Sequence, residues 1–195
     1  MRPSPLPTGP GQESVWDYPR PPRIEASTAL VTVELGGVVL CRTRQAYRVL
    51  ETSHPPGFYL PTRDWLPGSL RPAGGTSLCE WKGDASYLDV VAGEAVMERA
   101  AWTYPRPTSA FAALVDHVAV YPAAMDRCTV DGEVVRPQDG GFYGGWITDD
   151  RRAVQGSPRL ALVVTGYRPN SSSRNRSWHT CCAAWSVLAA SKQSR

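Results

Sequence analysis

The sequence contains few of the residues that build metal centres and disulfide frameworks. Its 195 residues include five cysteines, an odd number, and only three histidines. The cysteines do not form the paired C-x-x-C knuckles typical of structural zinc sites, and the histidines are scattered along the chain. We therefore expect no metal, no other cofactor and no disulfide framework.

Long apolar runs and clustered basic stripes are also missing. No segment approaches the roughly 20 apolar residues that cross a bilayer, and the first residues lead into prolines and glycines instead of a hydrophobic signal core. The net charge of +3 comes largely from arginines late in the chain, whereas a nucleic-acid-binding protein more often carries its basic stripe within the folded part. We expect a cytoplasmic protein that binds neither membranes nor nucleic acids.

Proline and glycine, with 18 and 17 residues, are abundant and interrupt helices. Three pairs of apolar runs are separated by tight turns typical of β-hairpins, at Gly36-Gly37, Gly93-Glu94 and Asp131-Gly132. One short helix is predicted over residues 108–114, capped by Thr108 or Ser109. The pattern predicts a mostly β protein with antiparallel sheets.

The remaining segments set the expected boundaries of the domain. Residues 46–52 favour a third strand and residues 58–61 another short one, whereas the prolines and glycines of residues 64–75 predict a loop. Residues 1–12 are predicted to be a disordered lead-in, residues 13–149 a single domain, and residues 150–195 a weakly folded, divergent tail.

Residues 76–87 form a dense run of small, charged and aromatic residues that enters an apolar alternating segment. Trp81 offers a large flat surface, Lys82 beside it a point charge, and Gly83 lets the backbone approach a neighbour or a ligand closely. This combination indicates ligand binding more clearly than it indicates a reaction.

Five motifs in order resemble the domain-of-unknown-function 427 family, and they lie at residues 15–22, 50–56, 79–83, 101–105 and 140–148. The resemblance covers residues 13–149 and implies a β-tent fold, in which antiparallel sheets meet at an angle around a pocket. The family is sometimes labelled nucleotidyltransferase-like, but the chain has neither a P-loop nor a Gly-Ser motif with spaced aspartates. After residue 149 the sequence departs from the usual family ending.

The leading functional hypothesis is a small-molecule-binding module with an aromatic-lined pocket, in which Lys82 anchors an anionic or carbonyl group of a ligand of unknown class. The predicted ligand-binding residues are Tyr59, Cys79, Trp81, Lys82, Trp102, Tyr104, Tyr143 and Trp146. The aromatic members are equally compatible with pocket walls and with the core of a small sheet protein.

Two alternatives remain open. The protein could be an enzyme, a transferase or hydrolase, that uses Cys79 or Lys82 covalently with His54 as a base. A structural explanation is favoured over catalysis, with Cys79 as a small buried hydrophobe and Lys82 as an ion-pair partner of Glu80, Asp84 or Glu51, because no set of acid, base and nucleophile is fixed by spacing. The second alternative is a protein-interaction module without a small ligand.

Overall fold

The computed structural model of the chain describes residues 12–139 and 144–149, and the backbone of residues 154–155. Its strands are β1 (Glu13–Ser14), β2 (Arg23–Ser27), β3 (Val31–Leu35), β4 (Val38–Thr43), β5 (Ala46–Leu50), β6 (Gly57–Pro61), β7 (Leu70–Cys79), β8 (Gly83–Ala92), β9 (Ala95–Thr103), β10 (His117–Val120), β11 (Arg127–Val130), β12 (Glu133–Val134), β13 (Arg136–Pro137), β14 (Trp146–Ile147) and β15 (Val154–Gln155). Short 3-10 helices span Val15–Asp17, Thr62–Asp64, Ser109–Leu114 and Pro122–Ala124.

Two antiparallel sheets dominate the structure. The larger sheet has the strand order β2-β5-β6-β10-β9-β8-β7, and the smaller has the order β12-β11-β3-β4. Two minor ladders join β13 to β14 antiparallel and β1 to β15 parallel. Within the described residues neither large sheet closes into a barrel. The prediction of a mostly β, antiparallel fold is confirmed.

The three tight turns lie where the sequence predicts them. Gly36 and Gly37 both have positive φ, +59° and +73°, as a two-residue hairpin turn requires. Gly93 connects β8 to β9, and Asp131 with Gly132 connects β11 to β12, all three with positive φ. The predicted strands over residues 46–52 and 58–61 correspond to β5 and β6.

The loop prediction for residues 64–75 is wrong in its second half, because β7 begins at Leu70 and continues to Cys79. Proline and glycine are tolerated here for two reasons that depend on the sheet as a whole. The strand β7 lies at the edge of the larger sheet and pairs only with β8, so the missing N–H of Pro72 is not needed by a second neighbour. The ladder also shifts register between Pro72 and Thr76, where a bulge accommodates the glycines.

The predicted short helix exists as the 3-10 helix Ser109–Leu114, in which Phe111 departs from helical geometry. Thr108 precedes it at the capping position, but its side chain makes no capping hydrogen bond. Its hydroxyl instead donates to the carbonyl of Trp81 at 2.6 Å. The threonine therefore fastens this segment to the β7–β8 turn.

The larger sheet carries a hydrophobic core on each face. The first core lies between the two sheets and contains residues such as Val31, Val33, Leu40, Phe58, Leu60, Val118 and Trp146. The second lies on the opposite face under the Ser109–Leu114 helix and contains Val49, Tyr59, Cys79, Ala85, Tyr104, Phe111, Leu114 and Ala119. Tyr59 alternates with its neighbours Phe58 and Leu60 between the two faces, as the two-residue period of a strand requires.

An N-terminal arm over residues 15–22 packs against the end of β5. Val15 and Tyr18 form a small buried cluster with Leu50, and the partly buried Trp16 packs against it. The backbone N–H of Ser53 donates to the carbonyl of Val15 at 2.9 Å. Trp16 and Tyr18 thus hold this arm against the body, and the arm brings Arg20 to Trp81 at the second core.

Two sequence-based boundaries lie mostly outside the described residues. Of the predicted lead-in only Gln12 is described, and of the predicted tail only the backbone of residues 154–155, which form β15. In the parts of the chain that are described, no helix has the length and apolar character needed to span a bilayer.

Candidate functional site

The candidate site is built on the turn between β7 and β8. Cys79, the last residue of β7, pairs with Gly83, the first of β8, so that Glu80, Trp81 and Lys82 form a three-residue loop. Gly83 has φ +93°, which favours glycine, and a β-carbon at this position would lie 3.5 Å from the carbonyl oxygen of Arg106. The N–H of Thr108 donates to the carbonyl of Lys82 at 3.1 Å. These contacts fix the turn under the Ser109–Leu114 helix.

Lys82 is buried, with 8% of its surface exposed. Its Nζ lies 5.8 Å from the ring centroid of Tyr104 and 5.7 Å from that of Phe111, within the range of cation–π attraction. No ion pair among the described residues includes Lys82. The ammonium therefore lies against two aromatic rings, and the described part of the chain gives it no paired carboxylate of the kind that buried charges usually have.

Burial disfavours the charged form of Lys82, but the anionic forms of Tyr59 and Cys79 and the carboxylate of Glu51 favour it, and the balance raises the pKa of Lys82 above its ordinary value. Burial likewise raises the pKa of Tyr59, although the positive charge of Lys82 acts in the other direction. At neutral pH the site thus holds a lysine ammonium beside a neutral tyrosine phenol.

Further polar groups lie beside Lys82 on this face of the larger sheet. Cys79, which is 6% exposed, belongs to the same core and contributes to the raised pKa of Lys82. The Tyr59 hydroxyl accepts a hydrogen bond from Trp102 Nε1 at 3.3 Å. Polar groups buried in this way are usually hydrogen-bonded, and this bond satisfies that requirement for the phenol of Tyr59.

Trp81 adds an unsatisfied donor to the same cluster. Its ring packs against the second core, and its indole Nε1 is buried without a hydrogen-bond partner among the described residues. The guanidinium of Arg20 lies over the ring, with Cζ 5.8 Å from the centroid. Arg20 also pairs with Glu51 at 3.2 Å and Glu80 at 2.8 Å, so the arm covers the outer side of Trp81.

The structure brings six of the predicted ligand-binding residues together in or against the second core: Tyr59, Cys79, Trp81, Lys82, Trp102 and Tyr104. Trp146 lies instead in the first core, where its ring packs against Phe58 and its Nε1 donates to the Val120 carbonyl. Tyr143 lies outside the described residues. His54 follows β5 in a turn, with Nδ1 3.1 Å from the Thr52 carbonyl oxygen.

A cavity of about 210 Å³ lies elsewhere, between β2 of the larger sheet and the β11–β12 hairpin of the smaller one. Arg48, which pairs with Glu13 and Glu25, lines one side of it. Of the predicted ligand-binding residues that the structure describes, Trp146 alone borders this cavity.

Two residues of the site, Arg20 and Phe111, were not predicted. Arg20 reaches Glu80 across 60 positions of sequence, and no local pattern indicates that contact. A signal for the site as a whole is present in the composition, because the chain has only two lysines, Lys82 and Lys192, among 21 lysine and arginine residues. Arginine binds anions through two parallel hydrogen bonds, whereas lysine acts as a compact point charge. The use of lysine at position 82 therefore points to a specific role.

No cluster of three or more histidine, cysteine or acidic side chains suited to a metal ion occurs in the described part of the chain.

The fold and the site together define a mostly antiparallel β protein with a buried lysine beside aromatic rings. The chain belongs to the family described as Domain of unknown function (DUF427), whose model matches residues 23–131, more than half of the sequence. The match includes Tyr59, Cys79, Lys82 and Tyr104. No curated protein matches the chain.

Proposed function

We propose that this protein is a small-molecule-binding module in which the Lys82 ammonium anchors an anionic group of the ligand. The observation that carries the proposal is a lysine that is 8% exposed, faces aromatic rings and belongs to no ion pair among the described residues. Burying a charge is costly unless it is paired. A ligand anion would supply the missing partner in surroundings of lowered dielectric, where its attraction to Lys82 is strengthened.

The neighbouring groups favour an anion attached to a flat apolar body. Tyr104 and Phe111 provide aromatic surface within 6 Å of the ammonium, as measured to their ring centroids. The indole N–H of Trp81, which has no hydrogen-bond partner among the described residues, provides a second donor in the same cluster. A mostly apolar site with a few convergent donors is the usual composition of a small-molecule site.

The protonation state of Lys82 supports binding over covalent catalysis by this residue. A lysine must lose its proton to attack a carbonyl, and catalytic lysines usually have lowered pKa values. Burial acts to lower the pKa of Lys82, but neighbouring groups, the Glu51 carboxylate among them, outweigh it and leave the pKa raised. The ammonium therefore suits electrostatic attraction better than Schiff-base formation.

A thermal-shift experiment with matched probes tests this function. Benzoate carries the anion and the flat ring, benzamide is its neutral counterpart, and inorganic phosphate carries charge without the ring. Wild type, Lys82→Met and Arg71→Met are compared; Arg71 is an exposed cation on β7 and controls for the loss of one positive charge. We expect benzoate to stabilise wild type and Arg71→Met more than benzamide does.

In Lys82→Met the advantage of benzoate over benzamide should disappear, with apparent affinity for benzoate falling about tenfold to a hundredfold, as expected from losing one charged hydrogen bond. Equal stabilisation of all three proteins by benzoate would place its site elsewhere. A benzoate effect lost equally in both variants would show nonspecific attraction to net charge.

A further inference from the structure

The cavity between β2 and the β11–β12 hairpin lies where the two large sheets separate. The strand β2 is an edge strand of the larger sheet, and β12 is an edge strand of the smaller one. Between these two edges the described residues enclose a space of about 210 Å³ that is partly open to solvent. This volume corresponds to roughly seven waters. The cavity therefore has room for a small organic molecule.

One part of the cavity lining is apolar and belongs to the first core. The rings of Phe58 and Trp146 line the cavity, and their centroids lie 5.1 Å apart. Ala29, Pro56 and Val130 extend this apolar surface. Aromatic rings pack well against the apolar body of a ligand, and their faces also attract a cation.

The polar part of the lining favours a cation over an anion. The carboxylates of Glu13, Asp131 and Glu133 line the cavity, and Arg48 is the one cationic side chain among the described lining residues. The Arg48 side chain is 14% exposed, and it donates to both oxygens of Glu13 at 3.2 Å and to Glu25 at 2.7 Å. An anion would have to displace one of these carboxylates to bind Arg48.

The carboxylates of Asp131 and Glu133 are held in place on the β11–β12 hairpin. Asp131 accepts a hydrogen bond from the N–H of Leu30 at 2.8 Å and lies 3.7 Å from the guanidinium of Arg44, and Glu133 accepts from the N–H of Asp149. Because a carboxylate offers about four acceptor positions, such a group can bind a ligand while it keeps partners of this kind. An ammonium is the complementary group, since it brings three donors and no acceptor.

We propose that this cavity binds a small organic cation, in which an ammonium group is attached to an apolar body such as a single ring. The ammonium contacts the carboxylates of Asp131 and Glu133, and the apolar body packs on Phe58 and Trp146. The rings beside Lys82 belong to the second core, on the opposite face of the larger sheet. The proposed cation site is therefore separate from the proposed anion site and does not depend on it.

The test compares two ligands of equal size that differ in charge. Benzylamine carries an ammonium group at neutral pH, and benzyl alcohol has the same number of non-hydrogen atoms without the charge. Dissociation constants for the full chain are measured by ligand-observed NMR titration. We expect benzylamine to bind at least about tenfold more tightly than benzyl alcohol, as expected from one hydrogen bond to a charged group.

Three variants locate the site. Glu133→Gln removes a charge but keeps a carbonyl acceptor for the Asp149 N–H, and it should weaken benzylamine binding about tenfold without affecting benzyl alcohol. Glu94→Gln removes the same charge from the exposed β8–β9 turn and should leave both ligands unaffected. Thr148→Leu adds apolar volume to the cavity lining without a change of charge and should weaken both ligands.

A cooperative thermal transition verifies that each variant is folded. If Glu133→Gln does not fold, Asp131→Asn replaces it, because asparagine tolerates the positive φ of this residue and keeps an acceptor for the Leu30 N–H. The proposal is overturned if wild type binds both ligands equally, if Glu94→Gln weakens benzylamine binding as much as the cavity variant does, or if Thr148→Leu binds both ligands as wild type does. These measurements involve neither benzoate nor Lys82, so failure here and failure of the anion-binding proposal are distinguishable.

Discussion

Gly144 lies directly against the indole of Trp102, so that a β-carbon at position 144 would overlap the ring. The Trp102 ring is packed in turn on Tyr121, with centroids 4.6 Å apart, and meets Tyr59 edge-on at 6.3 Å. The close approach of a glycine backbone therefore joins the segment 144–149 to the aromatic cluster that continues to Lys82.

Replacing Gly144 should therefore perturb both stability and the cluster. We expect Gly144→Ala to lower the free energy of unfolding by about 1–3 kcal/mol, because either the ring or the backbone must move. Gly74→Ala is the matched control, since a β-carbon at Gly74 meets nothing within 4 Å and its backbone does not require glycine. Denaturant unfolding of both variants measures the effect, and equal stability of the two would show that Trp102 is not confined by this contact.

Stability at alkaline pH should depend on the buried thiols of the first core. The pKa of Cys41 and of Cys128 is raised from 9.0 to about 12, chiefly by burial. Because the folded state then holds the proton more tightly than the unfolded state, the contribution is fully present below about pH 9 and is lost as pH rises toward 12. Each thiol should lower the free energy of unfolding by about 1.4 kcal/mol per pH unit in this window.

The variant Cys128→Ala isolates one of these contributions. Its absolute stability will change because the side chain is smaller, so the slope of unfolding free energy against pH is the informative quantity. We expect that slope to be shallower than in wild type by about 1.4 kcal/mol per pH unit between pH 9 and 12. Parallel slopes would mean that Cys128 titrates in the folded protein as it does in the unfolded chain.

Removal of residues 150–195 should leave a folded domain. In the part of the chain that the structure describes, the buried residues of both large cores lie between positions 31 and 146, and the cluster under the N-terminal arm is built from residues 15–50. The deletion removes β15 and with it the two-residue pairing of β1 with β15, which is separate from the two large sheets. We expect the shortened chain to retain a cooperative thermal transition, and its loss would show that the domain needs residues beyond 149.

The parts of the fold that follow from local chemistry could be predicted from sequence. Gly36 and Gly37 predict a hairpin turn because two consecutive glycines between apolar runs favour one whatever the rest of the fold. The strand β7 could not be identified in the same way, because Pro72 and Gly75 are tolerated only at a bulged sheet edge. Edge position is a property of the whole sheet and has no local signature.

The candidate site likewise has some features that the local sequence predicts and others that depend on the whole sheet. Trp81 and Lys82 stand out because they are adjacent to Gly83 on a tight turn, and the structure places both at the second core. Trp146 shares the aromatic character of Trp102 but lies on the opposite face of the larger sheet. A pattern of aromatics and glycines does not determine which face a side chain takes without the register of the strands and the position of the second sheet.

The central claim is that the Lys82 ammonium serves ligand recognition and not the stability of the fold. In Lys82→Met the stem remains and no uncompensated charge is left behind, because Glu51 pairs with Arg20 and the neutral hydroxyl of Tyr59 is bonded to Trp102. The most direct test is the free energy of unfolding of ligand-free Lys82→Met at neutral pH, measured by denaturant titration against wild type. We predict a difference of no more than about 1 kcal/mol, whereas a loss of more than about 3 kcal/mol, typical of breaking a structural buried charge interaction, would contradict the claim.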